Sequence, residues 1–144
     1  MADLLDANVW IALSAPGHVH HARARKYWNE EADEELLFCR VTALALLRYL
    51  TNRRILGSKV LTTNEAWRLL RTWITKPSVR FFDEPLGIDD WLDRWSDDRA
   101  IRGGEWTDAY LAAFAAASGY RLVTFDSDFQ NYPEIDMLHL RTVA

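Results

Sequence analysis

Three aspartates stand where short apolar runs give out. Asp6 follows Leu4-Leu5, Asp126 follows Leu122-Val123-Thr124-Phe125, and Asp108 closes the tripeptide Trp106-Thr107-Asp108 that opens an alanine-rich stretch. An apolar run that ends in an acid and passes at once into a helical pattern reads as a buried strand. The acid then lies at its carboxyl end, the edge where open α/β sheets bind ligands. Asp6 and Asp126 are expected on one such edge, unless Asp6 does no more than cap the helix after it. Asp108 reaches that edge only if Gly103-Gly104 lets the chain return there. Carboxylates crowded in one cleft repel strongly unless a cation neutralises them or one takes up a proton. With oxygen donors and no matching Cys or His set, the fitting ion is Mg2+ or Mn2+ rather than zinc. Such a site suits hydrolysis of a phosphodiester, with a carboxylate orienting water.

The elements that must carry these acids alternate along the chain. Asn8 to Ala15 reads as a short helix stopped by Pro16-Gly17, and His18 to Glu31 as an amphipathic one with a basic outer face. Glu35 to Cys39 is the second strand, after which Thr42 caps a helix that is apolar almost all round. Thr63 or Asn64 starts a helix through Thr75 with Trp67, Leu70, Trp73 and Ile74 inward. Val79 to Phe82 is the third strand, with Asp83-Glu84 at its end, and Gly87 to Asp98 an acidic helix. The helix Ala109 to Ser118 ends at Gly119, a suitable C-cap, before the fourth strand, Arg121 to Phe125. Leu138 to Leu140 is a short last strand. Alternation of this kind predicts a three-layer α/β/α fold around a central parallel sheet of four or five strands, with right-handed crossovers. Leu4 and Leu5 would face opposite sides of it, both covered. A length of 144 residues fits a single domain spanning the chain.

Composition narrows the partners. A net charge of −4 argues against gripping nucleic acid by bulk electrostatics. Arg40, Arg48, Arg53, Arg54 and Arg102 are rim candidates for holding a phosphate backbone, Arg48 and Arg102 foremost, each being otherwise a plain surface charge. Cys39, the one cysteine, sits in an apolar run and reads as a small buried hydrophobe. Of His18, His20 and His21, only His18 and His21 have helical ligand spacing, so solvated helix-start histidines are the simpler reading. No apolar run approaches bilayer length and no basic cluster precedes an apolar core at the start, which places the protein in the cytoplasm, away from membranes. Seven tryptophans exceed what one core needs, leaving some for a partner surface.

The stretches Leu4-Leu5-Asp6-Ala7-Asn8-Val9, Trp106-Thr107-Asp108-Ala109-Tyr110-Leu111-Ala112 and Leu122-Val123-Thr124-Phe125-Asp126-Ser127-Asp128-Phe129 resemble the successive signatures of PIN-domain ribonucleases. Specifically, they resemble the VapC-type toxins of bacterial toxin–antitoxin pairs, over nearly the whole chain. The resemblance implies a PIN-like domain, Mg2+-dependent cleavage of RNA (often tRNA or ribosomal RNA), inhibition by a small cognate antitoxin, and a homodimer. It implies Asp6 and Asp108 as metal ligands, Asp126 as the acid that holds a second ion or orients water, and Asn8 as the side chain that steadies Asp6 by a hydrogen bond. One departure stands out. The family pattern places a glutamate on the helix after the second strand, but Thr42 to Arg48 contains no acid. Either Glu105 or Asp128 substitutes, or three acids suffice, or catalysis is lost and a PIN-like module that binds RNA or protein is left. Asp83 and Glu84 are candidates to support the site from outside its ligand set, with a surface turn the plainer reading. A receiver-type phosphotransfer domain also uses a strand-end aspartate. It is disfavoured because no Asp-x-Asp-x-Thr motif follows the first strand.

Overall fold

The computed structural model describes residues 1–141. Five strands, β1 (Ala2–Leu5), β2 (Glu35–Phe38), β3 (Val79–Phe81), β4 (Arg121–Thr124) and β5 (Met137–His139), form one parallel sheet in the order β3-β2-β1-β4-β5. The helices are α1 (Ala7–Ser14), α2 (His21–Lys26), α3 (Arg40–Leu50), α4 (Arg53–Leu56), α5 (Thr63–Ile74), α6 (Ile88–Asp98) and α7 (Glu105–Ser118). The three-layer expectation holds, with all five strands parallel.

Strand pleating sorts the apolar residues into two cores. Leu5, Leu36, Phe38 and Val123 pack on one face with Val9, Trp10, Leu46 and Leu70 from α1, α3 and α5. Leu4, Leu37 and Leu122 pack on the other with Trp95, Leu111 and Phe114 from α6 and α7. Trp10 lies flat on Phe38 at 3.8 Å and meets Trp73 edge-on at 5.4 Å, while the Trp73 indole N–H donates to Ser14 at 2.8 Å. These contacts tie α1 and α5 to β2. The sheet order decides where the site lies. After β1 the chain builds outward through β2 and β3, then returns to lay β4 on the opposite flank of β1. The connections leaving β1 and β4 diverge there, which opens a crevice at their carboxyl ends.

Several local expectations are corrected. Thr42 lies inside α3 rather than capping it. Cys39 is the cap, and the Thr42 hydroxyl accepts the Cys39 backbone N–H at 3.0 Å. The second helix is not regular through Glu31, because Tyr27–Glu31 forms a π turn closed by the Ala32 N–H on the Tyr27 carbonyl at 2.9 Å. Thr62 caps α5, paired reciprocally with Glu65, and Trp67 points outward at 47% exposure. The buried face of α5 runs through Ala66 and Leu70, and Trp67 is one residue, about 100°, off that line. Helix α7 starts at Glu105, a full turn before the expected Ala109, which puts Asp108 inside it. The histidines at the start of α2 are not simply solvated. His21 Nδ1 sits 2.7 Å from the Ala12 carbonyl, His18 Nδ1 accepts the His20 N–H at 3.1 Å, and the His20 ring stacks on Phe125 at 4.5 Å.

At the opposite end of β1 from the crevice, Asp3 is fully buried. Its carboxylate accepts from Arg121 Nε and Nη2 at 2.8 and 2.9 Å, from the Tyr27 hydroxyl at 2.5 Å and from the Asp33 N–H at 3.1 Å. Burial and the adjoining Asp3 carboxylate push the Tyr27 phenol far up, so it stays a donor. Removing the cation alone leaves an unpaired buried charge. Arg121→Met is expected to destabilise the fold by about 3–5 kcal/mol in urea unfolding, whereas Asp3→Leu with Arg121→Met recovers part of that loss.

Candidate active site

The crevice is built on a single register. Leu5 of β1 pairs with Val123 of β4, so the next residues along, Asp6 and Thr124, lie side by side. Asp6 caps α1 with Oδ1, which accepts the Ala7 N–H at 2.7 Å, and its Oδ2 accepts the Thr124 hydroxyl at 2.8 Å. Capping and presentation at the sheet edge are therefore the same act. The resemblance implied a direct bond from Asn8 to Asp6, and this is corrected. Asn8 Nδ2 donates instead to Thr124 Oγ1 at 3.4 Å, while Asn8 Oδ1 accepts the Phe125 N–H at 3.3 Å. Thr124 also accepts the Asp126 backbone N–H at 2.9 Å. This fully buried hydroxyl is the hub that joins Asp6, Asn8 and the start of the Asp126 turn. Sequence reading missed it, although its place at the carboxyl end of an apolar strand was a usable signal.

Asp126 caps the short helical turn Ser127–Asn131 by accepting the Asp128 N–H at 2.8 Å. Asp108 is the fourth residue of α7 and Glu105 the first, and Glu105 reaches back to accept the Arg102 N–H at 2.9 Å. Gly103, at φ 51°, supplies the left-handed turn that returns the chain to this edge. Asp108 lies within electrostatic reach of Asp6, Asp126, Asp128 and Glu105. Burial first, and then those four charges, push its carboxyl up to about 6. A place in the first turn of a helix favours an anion by about 0.3–1 kcal/mol. That is too little to prevail. Burial also raises Asp6, with Asp126 adding to it, against the pull of hydrogen bonds from Thr124 and Ala7.

Among the described residues no ion pair reaches any of these five acids, whereas Asp3, Glu31, Glu35 and Glu134 each have an arginine. Uncompensated oxygen donors of this kind fit a hard divalent ion. Also among the described residues, no three His, Cys, Asp or Glu side chains form a ready-made cage. The cluster is a shared negative field rather than a closed chelate. That still suits Mg2+, which keeps most of its waters and is commonly held by one or two carboxylates.

The remaining candidates fall into two groups. Arg102 stands in the loop between α6 and α7, next to Ile101 and Glu105, which line a cavity of about 420 Å³ shared with Asp108 and Asp128. Arg48 lines a different cavity with Leu44 and Trp67, one that none of the five acids enters. Arg40 lies over the Phe81 ring at 4.4 Å, and Arg53 and Arg54 are exposed on α4. Glu84 accepts the Tyr110 hydroxyl at 2.9 Å. No residue of α3 is acidic, so the helix that should carry the family glutamate does not. Asp128 and Glu105 are the acids standing near Asp108 in its stead.

Fold and site thus define an α/β/α domain with a carboxylate pocket at the point where its parallel sheet changes winding direction. Residues 4–135 match the PIN domain family. The chain is 39% identical over 140 residues to Ribonuclease VapC41 of Mycobacterium tuberculosis, covering 93% of this chain and 95% of that one. It is 32% identical over 126 residues to Ribonuclease VapC38 of the same species, covering 86% and 84%. In fold it is similar to VapBC2 from Rickettsia felis bound to a promoter DNA fragment, with a TM-score of 0.68 and 13% identity over 98% of this chain and 100% of that one. It is likewise similar to VapC20 of Mycobacterium tuberculosis, a Sarcin-Ricin loop cleaving toxin, with a TM-score of 0.67 and 18% identity over 90% and 94%. The chain belongs to the PIN-domain family, among the VapC-type proteins.

Two outcomes are expected from this geometry. In an unfolded chain Asp108 ionises near pH 4, but in the fold only near 6. The folded state therefore binds more protons between those values, and stability falls as pH rises through them. Asp108→Asn removes that penalty. In chelator it should raise stability by about 1–2 kcal/mol at pH 7.5, after allowance for solvent screening, and by nothing near pH 4, as read from paired melting curves. Thr124→Val, nearly isosteric, should keep the fold but cut ribonuclease activity about 10- to 100-fold, the usual effect of removing a hydrogen bond that orients a site carboxylate.

Proposed function

We propose that this protein is a Mg2+- or Mn2+-dependent endoribonuclease and the toxin of a type II toxin–antitoxin pair. The observation that carries the reading is the group of five carboxylates, without a basic partner among the described residues, at the crevice of a VapC-type PIN fold. Asp6 and Asp108 are the residues to hold the ion, with Asp126 orienting water or holding a second ion, and Asp128 and Glu105 adding negative field. A divalent ion bound there lowers the pKa of water and offsets the charge gathering on the transferring phosphoryl group. Thr124 and Asn8 fix the direction of Asp6. Arg102, in the loop just outside that cavity, is the candidate to hold a backbone phosphate, which would supply locally the attraction that a chain of net charge −4 lacks overall.

The same reading gives the substrate class as structured RNA, tRNA or ribosomal RNA, and the setting as the cytoplasm. No helix among the described residues is long and apolar enough to cross a membrane. It also gives two protein partners, a cognate antitoxin and a second copy of the chain. Exposed Trp67 and Leu44, beside the small cavity that Arg48 shares, are apolar surface of the kind such partners cover.

A second reading, a PIN module that binds RNA without cutting it, is favoured by the absence of any acid from α3. One experiment separates the two. Incubated with bulk tRNA and ribosomal RNA, the protein should cleave with Mg2+ or Mn2+ and stop in chelator. Asp6→Asn and Asp108→Asn, with unchanged melting in chelator or better, should each lose at least about 100-fold in rate, the scale of removing a group that stabilises developing charge. RNA bound but left intact by the parent protein selects the binding module instead.

A further inference from the structure

The cavity lined by three of these acids has further walls that the metal chemistry does not use. About 420 Å³ in volume, it is walled by Tyr132, Ile101 and Arg99, with Asp98, Glu105, Asp108 and Asp128 also lining it. Its one cation is already committed. Arg99 lies over the Tyr132 ring at 4.4 Å and over Trp95 at 5.2 Å, and its Nη2 donates to both carboxylate oxygens of Glu134 at 2.9 and 3.0 Å. Its Nη1 donates to the Asn131 carbonyl. Arg99 therefore stiffens the wall and neutralises Glu134, not the pocket acids. Four carboxylates border a space that Ile101 and Tyr132 also line, and its one lining cation is already paired.

A phosphate entering that space meets four carboxylates and one cation already paired with Glu134. A flat, neutral body that offers N–H groups meets acceptors on its edge, with Ile101 and Tyr132 as apolar neighbours, and in an RNA strand that body is a base. Carboxylates also rank the bases. Guanine presents N1–H and the N2 amino group side by side, two parallel donors that match the two oxygens of one carboxylate, the geometry that makes arginine–carboxylate pairs strong. Uracil presents a single N–H between two carbonyls, which carboxylates repel. Adenine and cytosine offer one amino group each, next to a ring acceptor. We infer that this cavity is a nucleobase subsite that selects guanine beside the phosphodiester to be cut. The inference rests on the ribonuclease reading and deepens it by naming what sets its base preference.

The test is equilibrium binding to the Asp6→Asn protein, in which asparagine still caps α1 and cleavage is disabled. The probes are short single-stranded RNAs of uridine with one central position varied through the four bases, read by fluorescence anisotropy with Mg2+ present. The central guanine should bind about tenfold tighter than uracil, the scale of one good bidentate base contact. Ala100→Trp, at an exposed residue that lines the cavity, should fill it and abolish the preference while binding of oligouridine is unchanged. Asp98→Asn, a surface change with little risk to folding, should reduce the preference. Equal affinity for all four bases overturns the inference and leaves the ribonuclease reading standing. No binding of any oligonucleotide, together with no cleavage by the parent protein, overturns both.

Discussion

Mutual repulsion among carboxylates at one edge of the sheet is the constraint around which the rest is arranged. Asp3 and Asp6 lie three residues apart at the two ends of β1, both buried, and the fold treats them oppositely. Asp3 receives a bidentate arginine, a phenol and a backbone N–H, which compensate its burial. Asp6 receives a hydroxyl and a backbone N–H but no cation, and it shares its surroundings with other acids. A fold that supplies a counter-charge at one end of a strand and withholds it at the other leaves room for a bound ion. The raised carboxyls of Asp6 and Asp108 are the energetic record of that.

Holding like charges together requires a rigid frame, and the two cores supply it. Trp10, Phe38 and Trp73 interlock on one face, and Trp95, Phe114 and Phe129 pack on the other. Between them the pairing of β1 with β4 sets Asp6 against Thr124. The Thr124 hydroxyl then links the cap of α1 to the start of the Asp126 turn, so the acids of two separate strands are held by one buried hydrogen-bonded group. Asp108 comes from elsewhere in the chain, brought in on the first turn of α7 by the reversal at Gly103.

The missing glutamate on α3 changes how the charge is distributed rather than whether it is there. Helix α3 spends its inner face on Thr42, Ala43, Leu46 and Leu50, all in the core, and adds no charge. Asp128 and Glu105 stand nearer the cavity, so the negative field leans toward α7 and the turn after β4. Arg99, tied to Glu134, braces that side without cancelling it. An acid on α3 would sit on the β2 side of the crevice, whereas Asp128 and Glu105 lie on the β4 side, where the cavity is.

What was legible in the sequence was local. Apolar runs ending in acids marked β1 and β4, Gly119 marked the end of α7, and the alternation of strand and helix gave a parallel three-layer fold. Each follows from side-chain period, capping or backbone freedom within a few residues. What only the tertiary structure decided depends on neighbours far apart in the chain. Thr124 bonds Asp6 because β4 lies beside β1 in that register, 118 residues away, and no local pattern carries a register. Trp67 faces outward because the core takes Ala66 and Leu70, a choice that hydrophobicity alone could not make. Arg99 is a brace and not a phosphate ligand because Glu134 happens to meet it. Sequence determines which residues can be buried, capped or charged. The packing of distant elements determines which charges find partners, and at this site the function depends on those that do not.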